Sequence, residues 1–243
     1  MSSHTKLQEE FGGVDVYLFD LLLKGRFDPR MRVLDAGCGS GRNLVYFMRE
    51  GFDVHGVDVS QDAVAHVRSL ARALAPRLPE ENFRREPVEG MSFADESFDA
   101  VLSSAVLHFA RDEAHWLAMM REMWRVLKPG GIFFARLAST TAVESHVEHL
   151  GGRRYRLAGG VEWLLSDERM LRETTASLRG ELIEPLKTVV VHGARARPAP
   201  ARRELPPGAG RENVFRGREL RLCAEQRRAP LREGRGALAC DGA

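Results

Sequence analysis

The sequence predicts a doubly wound α/β fold, a mostly parallel sheet with helices on both faces, on three observations. Between residues 31 and 137, short apolar runs alternate with amphipathic stretches of helical period. Those runs are continuously apolar, which suits strands buried on both faces better than a half-solvated sheet. A glycine cluster, Gly37-Cys38-Gly39-Ser40-Gly41, follows the first run and opens the first amphipathic stretch. Strands joined through helices build parallel sheets with right-handed crossovers.

The elements follow in order. Residues 31–36 (MRVLDA) are a strand and residues 42–50 a helix. Residues 53–59 (DVHGVDV) read as a second strand, then 61–74 (QDAVAHVRSLARAL) as a helix capped by Ser60 or Asp62, with Pro76 after its end. A third strand falls near residues 82–88 and a fourth at 98–106 (FDAVLSSAV). The helical period from Asp112 to Leu127 stops at Lys128-Pro129-Gly130-Gly131. Residues 132–137 (IFFARL) are a fifth, buried strand. Beyond it, residues 140–150 predict a helix and 151–165 (GGRRYRLAGGVEWLL) a loop or small hairpin around Gly159-Gly160. Residues 166–178 predict a helix with Ser166 as N-cap and Asp167 and Glu168 in its first turn. Residues 186–192 (LKTVVVH) are a sixth strand.

Composition narrows the function classes. A chain of 243 residues with 44% hydrophobic and 29% charged residues can bury a substantial core and is not wholly disordered. No apolar run approaches the roughly 20 residues of a membrane span. The opening MSSHTKLQEEFGG lacks the apolar block of a secretory signal. Cys38, Cys223 and Cys240 are too few and scattered for a disulfide framework or a zinc site, so no metal and a cytoplasmic location are expected.

Charge is uneven. Residues 195–243 hold 12 of the 36 basic residues, all arginine, but 6 of the 34 acidic ones, a net +6 that leaves the preceding body at −4. That stretch has five prolines, six glycines and nine alanines, against seven residues from Val, Ile, Leu, Met, Phe, Trp and Tyr. So little apolar area does not offset about 1–2 kcal/mol of backbone entropy per residue, and residues 194–243 are expected to be a disordered, irregular tail. The tail reads as a binder of nucleic-acid phosphates, a solvated linker, or a GC-rich frame translated out of phase. The last is preferred and nucleic acid disfavoured.

The chemistry sits at the glycine cluster. Glycines permit positive φ and close approach of a ligand to the backbone. The helix N-terminus behind them offers N–H groups to an anion. Asp58 ends the second strand, where a ribose diol would sit at a topological switch point. A nucleoside-containing ligand follows. The spacing is G-x-G-x-G, the dinucleotide motif's third-glycine position is Arg42, and Asp35 before the first glycine would repel a pyrophosphate. A ligand carrying an ammonium group would welcome that carboxylate.

Here the sequence resembles the class I S-adenosylmethionine-dependent methyltransferases, a Rossmann-like family whose first motif looks like the LDAGCGSG of residues 34–41. Residues 56–60 (GVDVS) are similar to its second motif, residues 91–101 (MSFADESFDAV) to its approach to the fourth strand, and residues 127–131 (LKPGG) to its turn before the fifth. Residues 14–26 (VDVYLFDLLLKGR) resemble the lead-in of a bacterial subgroup. The resemblance implies S-adenosylmethionine as cofactor and methyl transfer to a small-molecule acceptor, over a domain of residues 1–193. Its core would be 31–137, with substrate elements at 1–30 and 138–180.

Carried over residue by residue, the resemblance implies that Asp35, Gly37, Gly39 and Gly41 form the methionine-end and turn contacts, and that Asp58 binds the ribose. Ser103 and Ser104 would line the sulfonium side, and Val88 and Glu89 the adenine. The family often has an acidic residue where this chain has Pro87, so Glu86 or Glu89 would have to serve the adenine amino group. A closing antiparallel strand should follow residues 186–192, and none is evident. His108, four residues past Ser104, is a candidate general base or a histidine packing at that loop. The alternative reading is a catalytically silent cofactor-binding or nucleic-acid-binding protein.

Other residues carry plainer readings. Cys38 is expected to pack beneath the turn rather than act as a nucleophile. Arg136 is a surface arginine or meets an anionic substrate. Tyr17 and Phe19 close over the cofactor or pack a helix face. Trp116, Met119, Met120, Met123 and Trp124 follow helical spacing as core. Residues 151–163 are a substrate lid or a plain connector.

Overall fold

An eight-stranded sheet carries the chain. The computed structural model describes residues 10–140, 147–157, 160–191 and 217–226. Strands β1 (Arg32–Ala36), β2 (Asp53–Asp58), β3 (Phe83–Arg85), β4 (Phe98–Ser104) and β5 (Leu127–Ala138) run parallel in the order β5-β4-β1-β2-β3. Helix α1 (Val16–Leu23) precedes β1, α2 (Val45–Arg49) and α3 (Gln61–Leu74) flank β2, and α4 (Glu113–Val126) precedes β5. Because β1 lies between β2 and β4, the turns after β1, β2 and β4 meet at one end of the sheet.

The continuous apolar runs have the reason expected of them. Leu34, Val101 and Phe133 pack into a core on one face with Trp116, Met120 and Met123 of α4. Their neighbours Val33, Leu102 and Phe134 pack on the other face with Leu18, Phe47 and Val67. Each fully buried side chain of this size contributes about 1.5–3 kcal/mol relative to exposure. Ser60 caps α3, its Oγ accepting from the Ala63 N–H at 3.3 Å, and Asp112 caps α4 through the His115 N–H at 2.7 Å.

Several expectations are revised. The first helix shrinks to five residues from Val45, with no side-chain cap. Strand β5 starts at Leu127, so Lys128-Pro129-Gly130-Gly131 falls inside a strand, as a bulge between the pairs Phe98–Leu127 and Ala100–Ile132. The helix expected at 140–150 is absent over its described part. Glu148–Gly151 is instead strand β6 of a small antiparallel sheet with β7 (Arg154–Arg156) and β8 (Glu162–Leu164), while 141–146 lie outside the described residues. Helix α5 (Glu168–Ser177) is capped by Asp167, which accepts the Met170 N–H at 2.7 Å. Ser166 cannot serve, because its backbone is bridged to Ala138 and Thr140 beside β5.

The largest revision concerns the irregular tail. Strands β9 (Gly180–Leu182) and β10 (Lys187–Val191) are followed by β11 (Gly217–Gln226), antiparallel and inserted between β5 and β10. The sheet therefore draws on residues beyond 193. Composition hid this strand because its apolar residues are few, but Leu220, Leu222 and Ala224 recur at period two. Its neighbours supply backbone pairing on both sides. Residues 192–216 and 227–243 lie outside the described residues.

Candidate active site

The glycine turn is tied to the end of β2. The Gly37 and Cys38 N–H groups both donate to Val57 O at 2.9 Å, and the Gly39 N–H donates to Asp58 Oδ2 at 2.9 Å. Asp58 Oδ1 accepts from the Ser60 N–H at 2.9 Å, which orients the carboxylate from both sides. Gly37 has φ +84°, and a Cβ there would collide with the Val106 side chain. Gly39 has φ +50°, and a Cβ there would meet nothing. The first glycine allows close packing and the second leaves an open face.

The anion site expected at a helix N-terminus is not built. Helix α2 begins at Val45, and the Gly37, Cys38, Gly39 and Gly41 donors are satisfied within the protein. A phosphate would find those donors already spent. The turn suits an uncharged or cationic group.

Gly37, Gly39, Asp58, Val88, Glu89 and Ser104, all singled out in the sequence, line one cavity of about 490 Å³. Val59, Ala105, Val106, Phe109, His115 and Met119 complete its wall. Of the other sequence candidates, Gly41 packs behind the turn, where a Cβ would lie 2.8 Å from Val67 Cγ2. Ser103 is fully buried and its hydroxyl has no partner. Asp35 is 1% exposed beneath the turn, and its Oδ1 has no hydrogen-bond partner. Burial raises its pKa to about 8, against the opposing pull of Arg42. A carboxyl of this kind is held neutral by burial and would ionise only beside a cationic group such as one on the ligand.

At the far end of the cavity, Ser104 Oγ accepts from an Arg42 guanidinium nitrogen and from Arg136 Nε, each at 3.1 Å. Arg136 Nε also lies 3.3 Å from Asp15 Oδ2, so this arginine is engaged within the fold. With two donors on its oxygen, the Ser104 hydroxyl has its own proton left to donate. Ala105 follows with φ +66°, a left-handed conformation costing about 1–2 kcal/mol outside glycine. Strain of that size at a cavity wall is characteristic of binding sites.

His108 is buried rather than on the cavity wall. Its ring lies 4.1 Å from that of Trp163 on β8 and 4.5 Å from Phe109, and its Nδ1 has no partner. Burial, helped by Arg136, lowers its pKa to about 3. A base that weak holds a proton poorly at neutral pH. Cys38 packs against Gly56, and burial beside Asp35 and Asp58 pushes its thiol far up, which leaves it inert. Tyr17 and Phe19 do not line the cavity, and Phe19 packs edge-on to Phe11. Met119, by contrast, serves both core and cavity wall.

The sequence reading missed His115. Its Nδ1 accepts the Arg111 N–H at 3.0 Å, and its Nε2 lies 3.0 Å from Glu89 Oε1. Glu86 is turned away, its two oxygens held by the Ser92 N–H and hydroxyl. No cluster that could hold a metal ion occurs among the described residues, and no helix among them is long and apolar enough to cross a membrane.

Known proteins are similar to this chain in sequence and in fold. A family model described as "Methyltransferase domain" matches residues 34–135, from β1 through most of β5. An uncharacterized methyltransferase of Synechocystis is 32% identical over 105 residues, 43% of this chain and 46% of that protein. The chain thus spans about half the length of the curated relatives it matches. Among solved structures, a SAM-dependent methyltransferase of Methanosarcina mazei superposes with TM-score 0.63 at 18% identity, covering 86% of this chain and 98% of that one. The 1,6-didemethyltoxoflavin-N1-methyltransferase of Burkholderia thailandensis, solved with 1,6-didemethyltoxoflavin and S-adenosylhomocysteine, superposes with TM-score 0.61 at 18% identity over 93% of this chain and 83% of that one. Residues 34–135 therefore match a methyltransferase domain, and the fold is that of the solved S-adenosylmethionine-dependent methyltransferases.

Proposed function

We propose that this protein binds S-adenosylmethionine in the 490 Å³ cavity and transfers its methyl group to a small-molecule acceptor. The observation that carries the reading is the convergence of an open glycine face at Gly39, an oriented carboxylate at Asp58 and an unsatisfied buried carboxyl at Asp35. Asp58 would hold the ribose hydroxyls, Asp35 would answer the ammonium through the turn, and Val88 and Glu89 would face the adenine. Gly37 and Gly39 give close backbone approach, and the Ser104 hydroxyl donates at the other end. The bound sulfonium supplies an already activated methyl group, so the chain has chiefly to position and desolvate the acceptor.

A small acceptor is favoured because the cavity wall beyond Ser104 is apolar, through Val106 and Phe109. The small sheet β6-β7-β8 borders the same end through Trp163 against the Leu107–Phe109 turn. The Burkholderia neighbour, whose structure holds a small heterocyclic compound beside the demethylated cofactor, supports the same class. A cytoplasmic location fits this reading.

Calorimetric titration of the full chain with S-adenosylmethionine and S-adenosylhomocysteine tests the proposal. One-to-one binding of micromolar order, about −8 kcal/mol, is expected. A demonstrably folded protein that binds neither compound overturns it. Binding of both without transfer to any acceptor in a small-molecule panel would favour the catalytically silent alternative.

A further inference from the structure

We infer that the methyl acceptor presents a planar, uncharged aromatic ring, and that Phe109 selects it by offering a ring face at the mouth of the cavity. The inference rests on the methyl-transfer reading above and names the acceptor class of that same site. Among the described residues, the strongly exposed large apolar side chains are Val16, Leu23, Val59 and Phe109. Val59 and Phe109 both line the cavity, and Phe109, 62% exposed, is the aromatic one. Scattered apolar side chains need no explanation, but two on the rim of one cavity point to a ligand surface.

Phe109 is held there. It ends a short turn, Leu107–Phe109, whose other two residues are buried, and its N–H donates to Val106 O at 2.9 Å. Its ring lies 4.5 Å from that of His108 and 6.2 Å from that of Trp163 on β8. A ring braced in this way loses little conformational freedom on binding, and its face attracts other rings beyond the area they bury.

The small sheet continues this surface. His149, Tyr155 and Trp163 stand opposite one another across β6, β7 and β8, so three rings share one face. Trp163 joins that row to the turn through its 4.1 Å contact with His108. Glu148, Arg156 and Glu162, one register position away, share the other face, where Arg156 bonds Glu148 at 2.6 Å and Glu162 at 2.9 Å. Arg154 is also bonded to Glu162, and Arg153 to Asp167 at 2.7 Å. These ionic groups are matched among themselves, while the rings run toward the acceptor end of the cavity. That division suits an uncharged aromatic acceptor better than an ionic one.

The experiment measures binding of 2-naphthol and of its saturated counterpart, decahydro-2-naphthol, to the full chain saturated with S-adenosylhomocysteine. The bound product keeps both probes out of the cofactor's part of the cavity. The probes share one skeleton and one hydroxyl, so their difference reports the flat ring. Calorimetry is expected to show 2-naphthol bound about fivefold to tenfold more tightly, the scale of one or two ring pairs. Phe109→Leu keeps apolar bulk without the ring and should bring the ratio close to one, whereas Phe109→Tyr should keep it. Trp163→Leu, which removes the brace, should cut it severalfold. No binding of 2-naphthol to the loaded wild type, a wild-type ratio near one, or a ratio unchanged in Phe109→Leu overturns the inference while leaving the cofactor reading standing. Failure of the folded wild type to bind S-adenosylhomocysteine overturns both. Phe109 is exposed, so Phe109→Leu decides the matter should Trp163→Leu not fold.

Discussion

The main-chain N–H of Gly39 donates to Asp58 Oδ2 at 2.9 Å, so the turn after β1 and the tip of β2 hold each other in place. The same carboxylate accepts from Ser60, the residue that caps α3. Asp58 is therefore a fold residue as well as the proposed partner of the ribose. Asp58→Ala should lower stability by about 1.5–3 kcal/mol, the range for a hydrogen bond to a charged group, and reduce cofactor affinity at least tenfold. Asp58→Asn keeps an acceptor oxygen and should lose less of both. Thermal unfolding and calorimetric titration of the pair provide the check, and equal losses in the two variants would count against the double role.

The two glycines of the turn should fail differently. Gly37→Ala pushes a methyl into Val106 and should destabilise the protein whether or not a ligand is present. Gly39→Ala meets no protein atom and carries only the cost of a left-handed alanine, about 1–2 kcal/mol. Its larger effect should be on cofactor binding, because the methyl occupies the open face. Melting curves with and without S-adenosylhomocysteine separate the cases. The ligand-induced rise in melting temperature should vanish in Gly39→Ala.

Asp35 sets a pH dependence of stability. Its pKa, near 3.8 in the unfolded chain and raised to about 8 by burial, means the native protein keeps a proton that the unfolded chain releases between those values. The stability held by the protonated form is full below pH 3.8 and is lost as pH rises to about 8. Asp35→Asn removes the loss and should raise the melting temperature of the ligand-free protein at pH 8. A gain of about 1 kcal/mol would appear as roughly 2–4 °C for a chain of this size. The same variant should bind the cationic cofactor more weakly, and an unchanged affinity would remove Asp35 from the ammonium's surroundings.

His108 acts in the opposite direction. Its pKa falls from 6.5 to about 3 on burial, so its contribution is full above pH 6.5 and lost as pH drops toward 3. His55, lowered to about 4 chiefly by burial, adds to the same acid lability. His108→Phe should keep the packing on Trp163 and flatten the fall in melting temperature between pH 6.5 and 5. An acid slope identical to wild type would show that His108 is not the group responsible.

What could be read from the chain follows local physics. Residues 61–74 form α3 with the expected bounds because a cap at Ser60, a helical period and Pro76 all agree. Strands β1, β2 and β4 were legible because burial on both faces leaves a continuous apolar run. Asp58 and Gly39 could each be singled out from strand end and turn alone, while their hydrogen bond depends on β2 pairing with β1. His115 could not be found this way, since its approach to Glu89 depends on how α4 lies against the segment after β3. Asp167 took the cap from Ser166 for a similar reason, a bridge to β5 that no local pattern encodes. Strand β11 was hidden by low apolar content, because its place rests on backbone pairing to two partners distant in sequence.

The insertion of β11 between β5 and β10 also gives the chain an order of assembly. On the ribosome, β5 is complete at Ala138, but its partner Glu219 and the rest of β11 are made only by residue 226. At about 5–20 residues per second, the edge of β5 waits roughly 4–18 s for its neighbour during synthesis. Through that interval the nascent domain presents a long unpaired strand edge, and the cofactor-binding half can fold well before the sheet is closed. Chaperone capture of this protein should therefore peak while residues 139–226 are being translated.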